Sequence, residues 1–234
     1  MIEIARRVSG AGPRVARLHT VLEVRNLSGS AFVLRFTRDD FQFRPGQWLN
    51  LGLPGTREQR EYSIYSSPSD DFLEVLVKEI PDGALSPALR RRKPGDMVEV
   101  DGPHGAFTLV EGSREPPKFL FCATGTGVSP FHCFARTVPG LDYTLLHGVR
   151  TATELYEKDT FPAERFVACV SGGAREVPGT TTFAGRLTAY LRAHPVESTR
   201  YCYLCGNSDM IYETYMILKE LKIPRARIFA EVYF

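Results

Sequence analysis

The sequence predicts two domains in series, an all-β antiparallel sandwich or barrel followed by an α/β domain with a parallel sheet. Short strand candidates fill the first half, a polar, proline-containing stretch occupies residues 111–117, and strands alternate with helices after it. The length of 234 residues agrees with one to two domains at about 150 residues per domain. We expect the domains to span residues 1–115 and 116–234.

In the first half, Val and Phe alternate with polar residues, which is typical of strands with one buried face. The strand candidates are Ala16–Arg25, Ala31–Thr37, Gln47–Leu53, Glu61–Ser66, Phe72–Glu79 and Met97–Asp101. Turns with Pro and Gly separate them at short intervals, which favours a sandwich or a barrel. A short helix is predicted at 85–92, because Ser86 is a good cap and Pro87 is tolerated in a first turn.

In the second half, compact apolar runs alternate with helical patterns, which indicates a parallel sheet with crossover helices. The strand candidates are Lys118–Ala123, Tyr143–His147, Phe166–Val170, Tyr201–Cys205 and Ile228–Val232. Helices are predicted from Ser129 onward with Phe131, Phe134 and Ala135 inward, and at Ala152–Lys158, Gly185–Ala193 and Asp209–Leu221.

The composition argues against several classes of protein. Lys and Arg number 29 against 27 Asp and Glu, a net charge of +2, so gripping nucleic acid is not the expected main function. There is no apolar run of 18 or more residues, and the first residues lack the apolar centre of a signal peptide. We therefore expect a cytoplasmic protein that does not bind membranes.

The five cysteines are an odd set for a disulfide framework and lie mostly among apolar residues, so free thiols are expected. Cys202 and Cys205 have the spacing of a zinc or redox pair, but no second pair or His cluster follows to complete four ligands. In a strand their side chains would also point to opposite faces. No metal site is predicted.

A glycine turn follows the first strand of the second half and opens a helix, with Gly125, Gly127 and Pro130 in the positions of a dinucleotide fingerprint. Such a turn brings backbone N–H groups close to a pyrophosphate. Pro130 replaces the third glycine and fits a first helical turn if Ser129 is the cap. Because glycine turns are common in α/β proteins, this motif alone does not decide for a nucleotide.

Arg150 ends the next strand, about 20 residues after the turn, where an NAD site usually has an acidic residue. Its planar fork of donors suits a 2′-phosphate. A solvated arginine after a strand is the alternative interpretation.

The segment 60–66 places Arg60, Tyr62, Ile64 and Ser66 on one strand face, with Ser63 on the opposite face. A cation, an aromatic ring and a hydroxyl are groups that a flavin requires. Ordinary cross-strand packing of tyrosines in an exposed strand is the alternative.

Taken together, these motifs resemble the ferredoxin–NADP reductase family, and most closely its bacterial ferredoxin/flavodoxin reductase branch. Eight loose motifs occur in family order: Arg44-Pro-Gly-Gln-Trp48, Arg60-x-Tyr62-Ser63, Gly83-Ala-Leu-Ser86, Gly102-Pro-His-Gly105-Ala-Phe107, Gly125-Thr-Gly127-Val-Ser-Pro130, His147-Gly-Val-Arg150, Cys205-Gly206-Asn-Ser-Asp-Met210 and Glu231-Val-Tyr233-Phe234. The resemblance implies a flavin-binding antiparallel barrel followed by a Rossmann-like NADP-binding domain, with FAD and NADP(H) as cofactors.

In the first domain, the resemblance implies that Arg60 holds the FAD pyrophosphate, Tyr62 stacks on the isoalloxazine and Ser63 hydrogen-bonds near N5. It also implies that the turn formed by Gly83, Ala84, Leu85 and Ser86 binds phosphate.

In the second domain, the resemblance implies that Thr126 and Gly127 bind the NADP pyrophosphate and that Cys205, with Gly206 and Met210 in its motif, lies at the nicotinamide. Glu231 resembles the family's active-site acid. Tyr233 resembles the ring covering the other flavin face, and Phe234 the aromatic residue that packs on the adenine of a folded FAD. Tyr233 would then act as a gate for the nicotinamide.

Three arginines, Arg150, Arg175 and Arg186, resemble the family's contacts with the 2′-phosphate. The family commonly has Ser-Arg-Glu after the third strand, whereas here residues 172–174 separate Ser171 from Arg175. If these residues displace Arg175, the preference for NADPH would be weaker than is usual in the family.

The resemblance implies an FAD-dependent ferredoxin/flavodoxin–NADP(+) reductase that passes electrons between NADPH and a ferredoxin or flavodoxin on a separate chain. We expect the reductase to be a monomer. No Cys-x4-Cys-x2-Cys spacing for a built-in cluster occurs. The run 90–93, Arg-Arg-Arg-Lys, is a candidate docking patch or simply a solvated helix end. The alternatives are a free-flavin reductase, an oxygenase reductase component, and a non-catalytic flavin sensor or electron-transfer subunit.

Overall fold

The computed structural model describes residues 16–111, 116–173 and 176–232, and within them the chain forms two six-stranded sheets. The first sheet contains β1 (Arg17–Asn26), β2 (Ala31–Thr37), β3 (Trp48–Gly52), β4 (Gln59–Ser63), β5 (Phe72–Lys78) and β6 (Met97–His104), with helix α1 (Leu85–Arg90) before β6. The second contains β7 (Lys118–Thr124), β8 (Asp142–Val149), β9 (Phe166–Val170), β10 (Thr181–Ala184), β11 (Tyr201–Gly206) and β12 (Ile228–Val232), with helices α2 (Ser129–Thr137), α3 (Leu187–Ala193) and α4 (Ser208–Glu220).

The first sheet is antiparallel, in the order β4-β3-β6-β1-β2-β5. Just beyond β4, Ile64 forms a bridge with Val75 of β5, so the two ends of the sheet meet and the sheet closes. Its interior is filled by alternate residues of the strands, among them Phe32, Leu34 and Phe36 of β2. The predicted all-β antiparallel barrel is confirmed.

The second sheet is parallel, in the order β10-β9-β8-β7-β11-β12. The chain enters at the central strand β7, builds outward through β8, β9 and β10, and then returns to the other side of β7 to add β11 and β12. The strand order therefore reverses between β7 and β11. In open parallel sheets ligands bind at such a switch point, outside the carboxyl ends of the strands.

One apolar cluster extends from the barrel into the parallel sheet, and we call it the shared core. Phe107, which follows β6, is 1% exposed and lies between rings of the other half. Its ring centroid is 5.2 Å from that of Tyr203 on β11 and 6.2 Å from that of Phe131 on α2. Tyr65 and Leu76 enter the same cluster from the barrel. The two sheets are thus packed together as one body.

Polar contacts fix the orientation of helix α2 against the barrel. Arg136 forms a bidentate ion pair with Asp70, with N–O distances of 2.8 and 2.9 Å. The His132 ring stacks on Tyr65 at a centroid distance of 3.7 Å, and its Nδ1 lies 2.9 Å from the Tyr65 carbonyl oxygen. Burial lowers the pKa of His132 to about 4, so the ring is neutral near pH 7.

The helix predicted at Ala152–Lys158 is wrong. The segment instead forms two single 3-10 turns, Ala152–Glu154 and Lys158–Thr160. The Glu154 side chain folds back onto the Thr151 backbone N–H in a capping box, and Glu157 adopts a left-handed φ of 46° that ends any helix. In this conformation the Glu157 carboxylate pairs with Arg25 of the barrel.

Two predicted caps are also wrong, and one strand was not predicted. Ser86 does not cap α1, because its Oγ accepts a hydrogen bond from Ile80 N at 2.9 Å and so closes the preceding loop. Ser129 is the first residue of α2 rather than its cap, and its Oγ donates to Thr126 O at 2.7 Å. The edge strand β10 lies in a segment of threonines without a strong apolar pattern.

The structure buries the cysteines and places Cys202 and Cys205 on opposite faces of a strand, as predicted. All five are buried free thiols, with Cys202 facing one side of the parallel sheet and Cys205 the other. Among the described residues, no group of His, Cys, Asp and Glu side chains could hold a metal ion. Within the same ranges, no helix is long and apolar enough to cross a membrane.

The shared core yields a stability prediction. Replacing Phe107→Ala should lower the free energy of unfolding by about 3–5 kcal/mol, because a fully buried ring is lost between the two sheets. The measurement is urea unfolding followed by circular dichroism. Leu18→Ala is the control, since Leu18 is 55% exposed and should change the value by no more than about 0.5 kcal/mol. A Phe107→Ala loss as small as that of the control would contradict the shared core.

Candidate functional site

A cleft of about 1670 Å³ lies between the barrel and the carboxyl ends of the parallel strands. It exceeds the roughly 300–1,000 Å³ of an ordinary small-molecule pocket, so it has room for more than one ligand. Its wall on the barrel side comes from β4, the end of β5 and the start of α1. The opposite wall comes from the loops after β7, β8, β9 and β11.

The glycine turn lies at the switch point of the parallel sheet. Gly125 has a φ of +53° and opens a 3-10 turn, Gly125–Val128, that leads directly into α2. Gly127 approaches the carboxyl end of β11 so closely that a Cβ would lie 2.4 Å from Cys205 O. Gly206 has a φ of +129°, and a Cβ there would lie 2.3 Å from Thr124 Oγ1. Glycine is therefore required for both the conformation and the close approach of the two loops.

Ser63 of the barrel and Glu231 of the parallel sheet meet at the base of the cleft. Ser63 Oγ donates a hydrogen bond to Glu231 Oε2 at 2.9 Å, and the two residues are 2% and 1% exposed. Cys205 pairs with Glu231 across the ladder between β11 and β12. The structure thus brings together three of the four residues predicted to be catalytic, from two different sheets.

Arg60 and Tyr62 follow one another on the cleft face of β4. The Arg60 guanidinium is exposed and pairs with Glu58 at 3.0 Å. Tyr62 packs its ring against the barrel interior, and burial raises the pKa of its hydroxyl to about 12. A cation and a flat apolar ring therefore lie on one wall of the cleft, beside Ser63.

The turn at 83–86 lines the same wall at the start of α1. Gly83 N donates to Ile80 O at 2.9 Å, and the Ser86 hydroxyl holds Ile80 N. Leu85 and Ser86 are buried, whereas Ala84 is exposed. The Ser86 side chain is therefore engaged in shaping the turn.

Arg150 and Arg186 lie on the opposite wall, after β8 and before α3, and both are exposed. The backbone of Arg150 is held on both sides, because its N–H donates to Glu154 Oε2 at 3.1 Å and its carbonyl accepts from Gly172 N at 2.8 Å. A Cβ at Gly172 would lie 2.4 Å from that carbonyl oxygen. Gly172, the first of the three residues that depart from the family pattern, therefore packs directly on the Arg150 backbone.

Most of the predicted site residues line the cleft: Arg60, Tyr62, Ser63, Gly83, Ala84, Leu85, Ser86, Thr126, Arg150, Arg186, Gly206 and Met210. Gly127, Cys205 and Glu231 are buried, and each is next in sequence to a residue that lines the cleft. Arg175, Tyr233 and Phe234 lie outside the described residues.

Sequence reasoning missed several residues that shape the cleft. Asn207 caps α4, since its Oδ1 accepts from Asp209 N at 2.9 Å and Met210 N at 3.3 Å. Its own N–H donates to Thr124 Oγ1 at 3.0 Å, which ties α4 to the glycine turn. The Asn-Ser-Asp sequence before an apolar helix was a readable capping signal. Lys78 lines the cleft at the end of β5, and nothing in the sequence except its charge indicates that position.

Comparison with known proteins identifies the family. Residues 19–109 match the model of the oxidoreductase FAD-binding domain. The chain is 33% identical over 251 residues to ferredoxin–NADP reductase B of Sorangium cellulosum, covering 95% of this chain and 98% of that protein. The chain belongs to the ferredoxin–NADP reductase family. It is accordingly a flavoprotein oxidoreductase, and the family's cofactors are FAD and NADP(H).

Other members of the family differ in length and in partner. The chain is 30% identical over 209 residues to the reductase component of propane 2-monooxygenase from Mycolicibacterium goodii, which covers 82% of this chain but only 60% of that protein. The crystal structure of the Amycolatopsis cytochrome P450 reductase GcoB has a TM-score of 0.80 and 27% identity, covering 96% of this chain and 73% of that one. A reductase from Neisseria gonorrhoeae with bound FAD and NADP shares the fold at a TM-score of 0.77 and 20% identity.

The residues of the cleft fit two dinucleotides. The glycine turn offers a left-handed Gly125 with open space around its Cβ position, so a phosphate group has room to approach the backbone. Arg60 and Arg150 supply exposed cations on opposite walls. Tyr62 supplies a flat ring on β4 next to Ser63, so apolar and charged parts of such ligands both find partners.

The close approach at Gly127 gives a second prediction. Gly127→Ala should lower the free energy of unfolding by about 1–3 kcal/mol, because the new methyl group overpacks against a backbone carbonyl that has little room to move. Gly29→Ala is the control, since no atom lies within 4 Å of its Cβ position. Urea unfolding of both variants checks the difference. An equal effect at the two positions would contradict the close packing of the two loops.

Proposed function

We propose that this protein is an FAD-dependent reductase that takes electrons from NADPH and passes them singly to a small ferredoxin or flavodoxin. The observation that carries the proposal is the buried hydrogen bond between Ser63 and Glu231 at the base of the cleft. It joins a strand of the barrel to a strand of the parallel sheet at the point where the two cofactor sites of the family would meet. Burying polar groups costs free energy unless they are hydrogen-bonded, and a buried hydroxyl–carboxyl pair at the base of a cleft is a candidate functional site.

On the barrel side, we assign Arg60 to the FAD pyrophosphate and Tyr62 to stacking on the isoalloxazine. Arg60 is exposed and offers a bidentate fork, which suits a phosphate anion. The Ser63 hydroxyl would lie near N5 of the flavin, with Glu231 fixing its orientation. The turn Gly83–Ser86 would accept phosphate through backbone N–H groups, since the Ser86 side chain is already engaged.

On the opposite wall, we assign the glycine turn with Thr126 and Gly127 to the NADP(H) pyrophosphate. Arg150 and Arg186 would hold the 2′-phosphate, together with Arg175. Cys205, Gly206 and Met210 would lie along the nicotinamide. Tyr233 would cover the other face of the flavin, and Phe234 would pack on the adenine of a folded FAD.

FAD and NADPH supply the redox chemistry when bound, namely hydride transfer followed by release of single electrons. Ser63 and Cys205 would hold the two rings in line, and the burial of these residues at the base of the cleft would keep water away from the rings. Ser63 and Glu231 together offer a hydroxyl and a carboxyl group, which are suited to holding or moving a proton at the flavin.

The candidate docking patch for an acidic carrier contains fewer available cations than the four basic residues of 90–93. Arg90 is engaged in folding, since its guanidinium donates to Asn26 Oδ1 at 3.0 Å, Gly29 O at 2.8 Å and Ser28 O at 3.1 Å. Arg91 and Lys93 are exposed. A docking role for this surface therefore depends on those two cations and on long-range attraction to an acidic partner.

A second candidate function is the reductase component of an oxygenase. It is favoured by the 30% identity to the reductase component of propane 2-monooxygenase. The cleft chemistry is the same for both candidates, so the electron acceptor separates them. A free-flavin reductase is a further variant, which would release its flavin readily.

The proposed function is tested by recording the anaerobic visible spectrum of the FAD-loaded protein before and after NADPH or NADH is added. Bleaching of the flavin bands by NADPH, followed by reduction of added ferredoxin or flavodoxin, is the expected result. Faster reduction of free FMN, or loss of FAD during gel filtration, would favour the flavin-reductase variant. A protein that stays colourless after incubation with FAD would contradict the proposal.

A third prediction concerns Arg150. Arg150→Gln should raise KM for NADPH by about tenfold while KM for NADH changes by less than about twofold, because only NADPH has the 2′-phosphate. Arg225→Gln, an exposed arginine outside the cleft, is the matched control and should leave both values unchanged. Steady-state kinetics with ferricyanide as acceptor give these values. Equal changes for the two coenzymes would refute the assignment of Arg150.

A further inference from the structure

His147 is a polar side chain on an otherwise apolar face of the parallel sheet. Along β8, the side chains of Tyr143, Leu145 and Val149 point to the same face and belong to the shared core. His147 lies among them with an exposure of 0%. Burying an imidazole in such surroundings costs free energy, so the hydrogen bond that it forms is informative.

That hydrogen bond reaches the glycine turn. His147 Nε2 lies 2.9 Å from the carbonyl oxygen of Gly125. A carbonyl oxygen only accepts, so Nε2 carries the hydrogen. Burial lowers the pKa of His147 to about 4, so the ring is neutral near pH 7 and Nδ1 is bare. Nδ1 is buried without a hydrogen-bond partner among the described residues, so the polar contact of the ring is the one with Gly125.

The geometry of the peptide bond turns this contact into a constraint on the cleft. In a trans peptide the carbonyl of one residue and the N–H of the next point in opposite directions. With the Gly125 carbonyl held toward β8, the Thr126 N–H points away from the sheet, and Thr126 lines the cleft. Gly125 has a φ of +53°, and a glycine can adopt many backbone conformations. A contact from outside the turn therefore limits the orientations of the peptide between Gly125 and Thr126.

Other contacts of the turn hold different atoms. Ser129 Oγ donates to the Thr126 carbonyl at 2.7 Å, and Thr124 Oγ1 accepts from Asn207 N at 3.0 Å. Gly127 packs against Cys205. The bond from His147 restrains the peptide between Gly125 and Thr126, which lies between these anchors.

We propose that His147 is a positioning residue for coenzyme binding, which holds the Gly125–Thr126 peptide so that the Thr126 N–H faces the coenzyme pyrophosphate. This inference rests on the proposed function, in which the glycine turn binds that pyrophosphate. Because NADPH and NADH share the pyrophosphate, His147 acts on both coenzymes equally, unlike Arg150.

The test compares His147→Phe, which keeps a ring without a donor, with His147→Gln, whose amide places a donor near the position of Nε2. His194→Gln is the control, since His194 is exposed at the end of α3. The FAD-loaded variants are titrated with NADP+ and NAD+, and binding is followed by the flavin difference spectrum. KM and kcat for NADPH and NADH, the FAD content and the thermal midpoint are measured alongside.

We expect His147→Phe to weaken both coenzymes by about tenfold, with the larger part of the kinetic change on KM, because one backbone donor is lost to a charged group. His147→Gln should recover to within about threefold of the unchanged protein. Equal loss in the Phe and Gln variants, no loss in either, or a loss confined to NADPH would each overturn the assignment.

If His147→Phe fails to fold or to hold FAD, His147→Asn replaces it, because the shorter amide does not reach Gly125. Weaker coenzyme binding by His147→Asn than by His147→Gln supports the proposal. Equal coenzyme binding by these two variants overturns it. An unchanged protein whose flavin responds to neither coenzyme overturns the proposed function and this assignment together. A response to both coenzymes that is insensitive to His147→Phe overturns this assignment alone.

Discussion

The cleft keeps its shape because the barrel and the parallel sheet bury one apolar core between them. Phe107 enters a cluster of rings from α2 and β11, and Tyr65 is stacked on His132 from the other side. The bidentate pair between Arg136 and Asp70 adds direction to this nondirectional packing. Without this interface the Ser63 hydroxyl and the Glu231 carboxylate would have no reason to stay within 2.9 Å, because they belong to different sheets.

The strands and their grouping into two sheets could be predicted because alternation and turn chemistry are local signals. Strand β2 and strand β9 occur at the predicted residues. The segment 152–158 could not be predicted, since its composition suits a helix while its conformation follows from Glu154 folding back and from Glu157 reaching Arg25 in the barrel. Such long-range pairing leaves no trace in a single sequence.

The same distinction applies to the candidate site. Glycines and charged residues at strand ends could be found from the sequence, and most of them line the cleft. The roles of Ser86, Arg90 and His147 could not, because each depends on hydrogen bonds to backbone atoms outside its own element. Ser86 and Arg90 carry the right chemistry for phosphate or partner binding, but folding already uses their polar groups.

The hydrogen bond between Ser63 and Glu231 spans 168 residues of sequence. During synthesis the barrel strands leave the ribosome well before β11 and β12, and domains tend to form from the N-terminal side. Phe107 and its neighbours would then face water until the parallel sheet arrives to cover them. The nascent barrel is therefore the species most exposed to aggregation, and conditions that slow translation beyond residue 120 should increase its demand for chaperones.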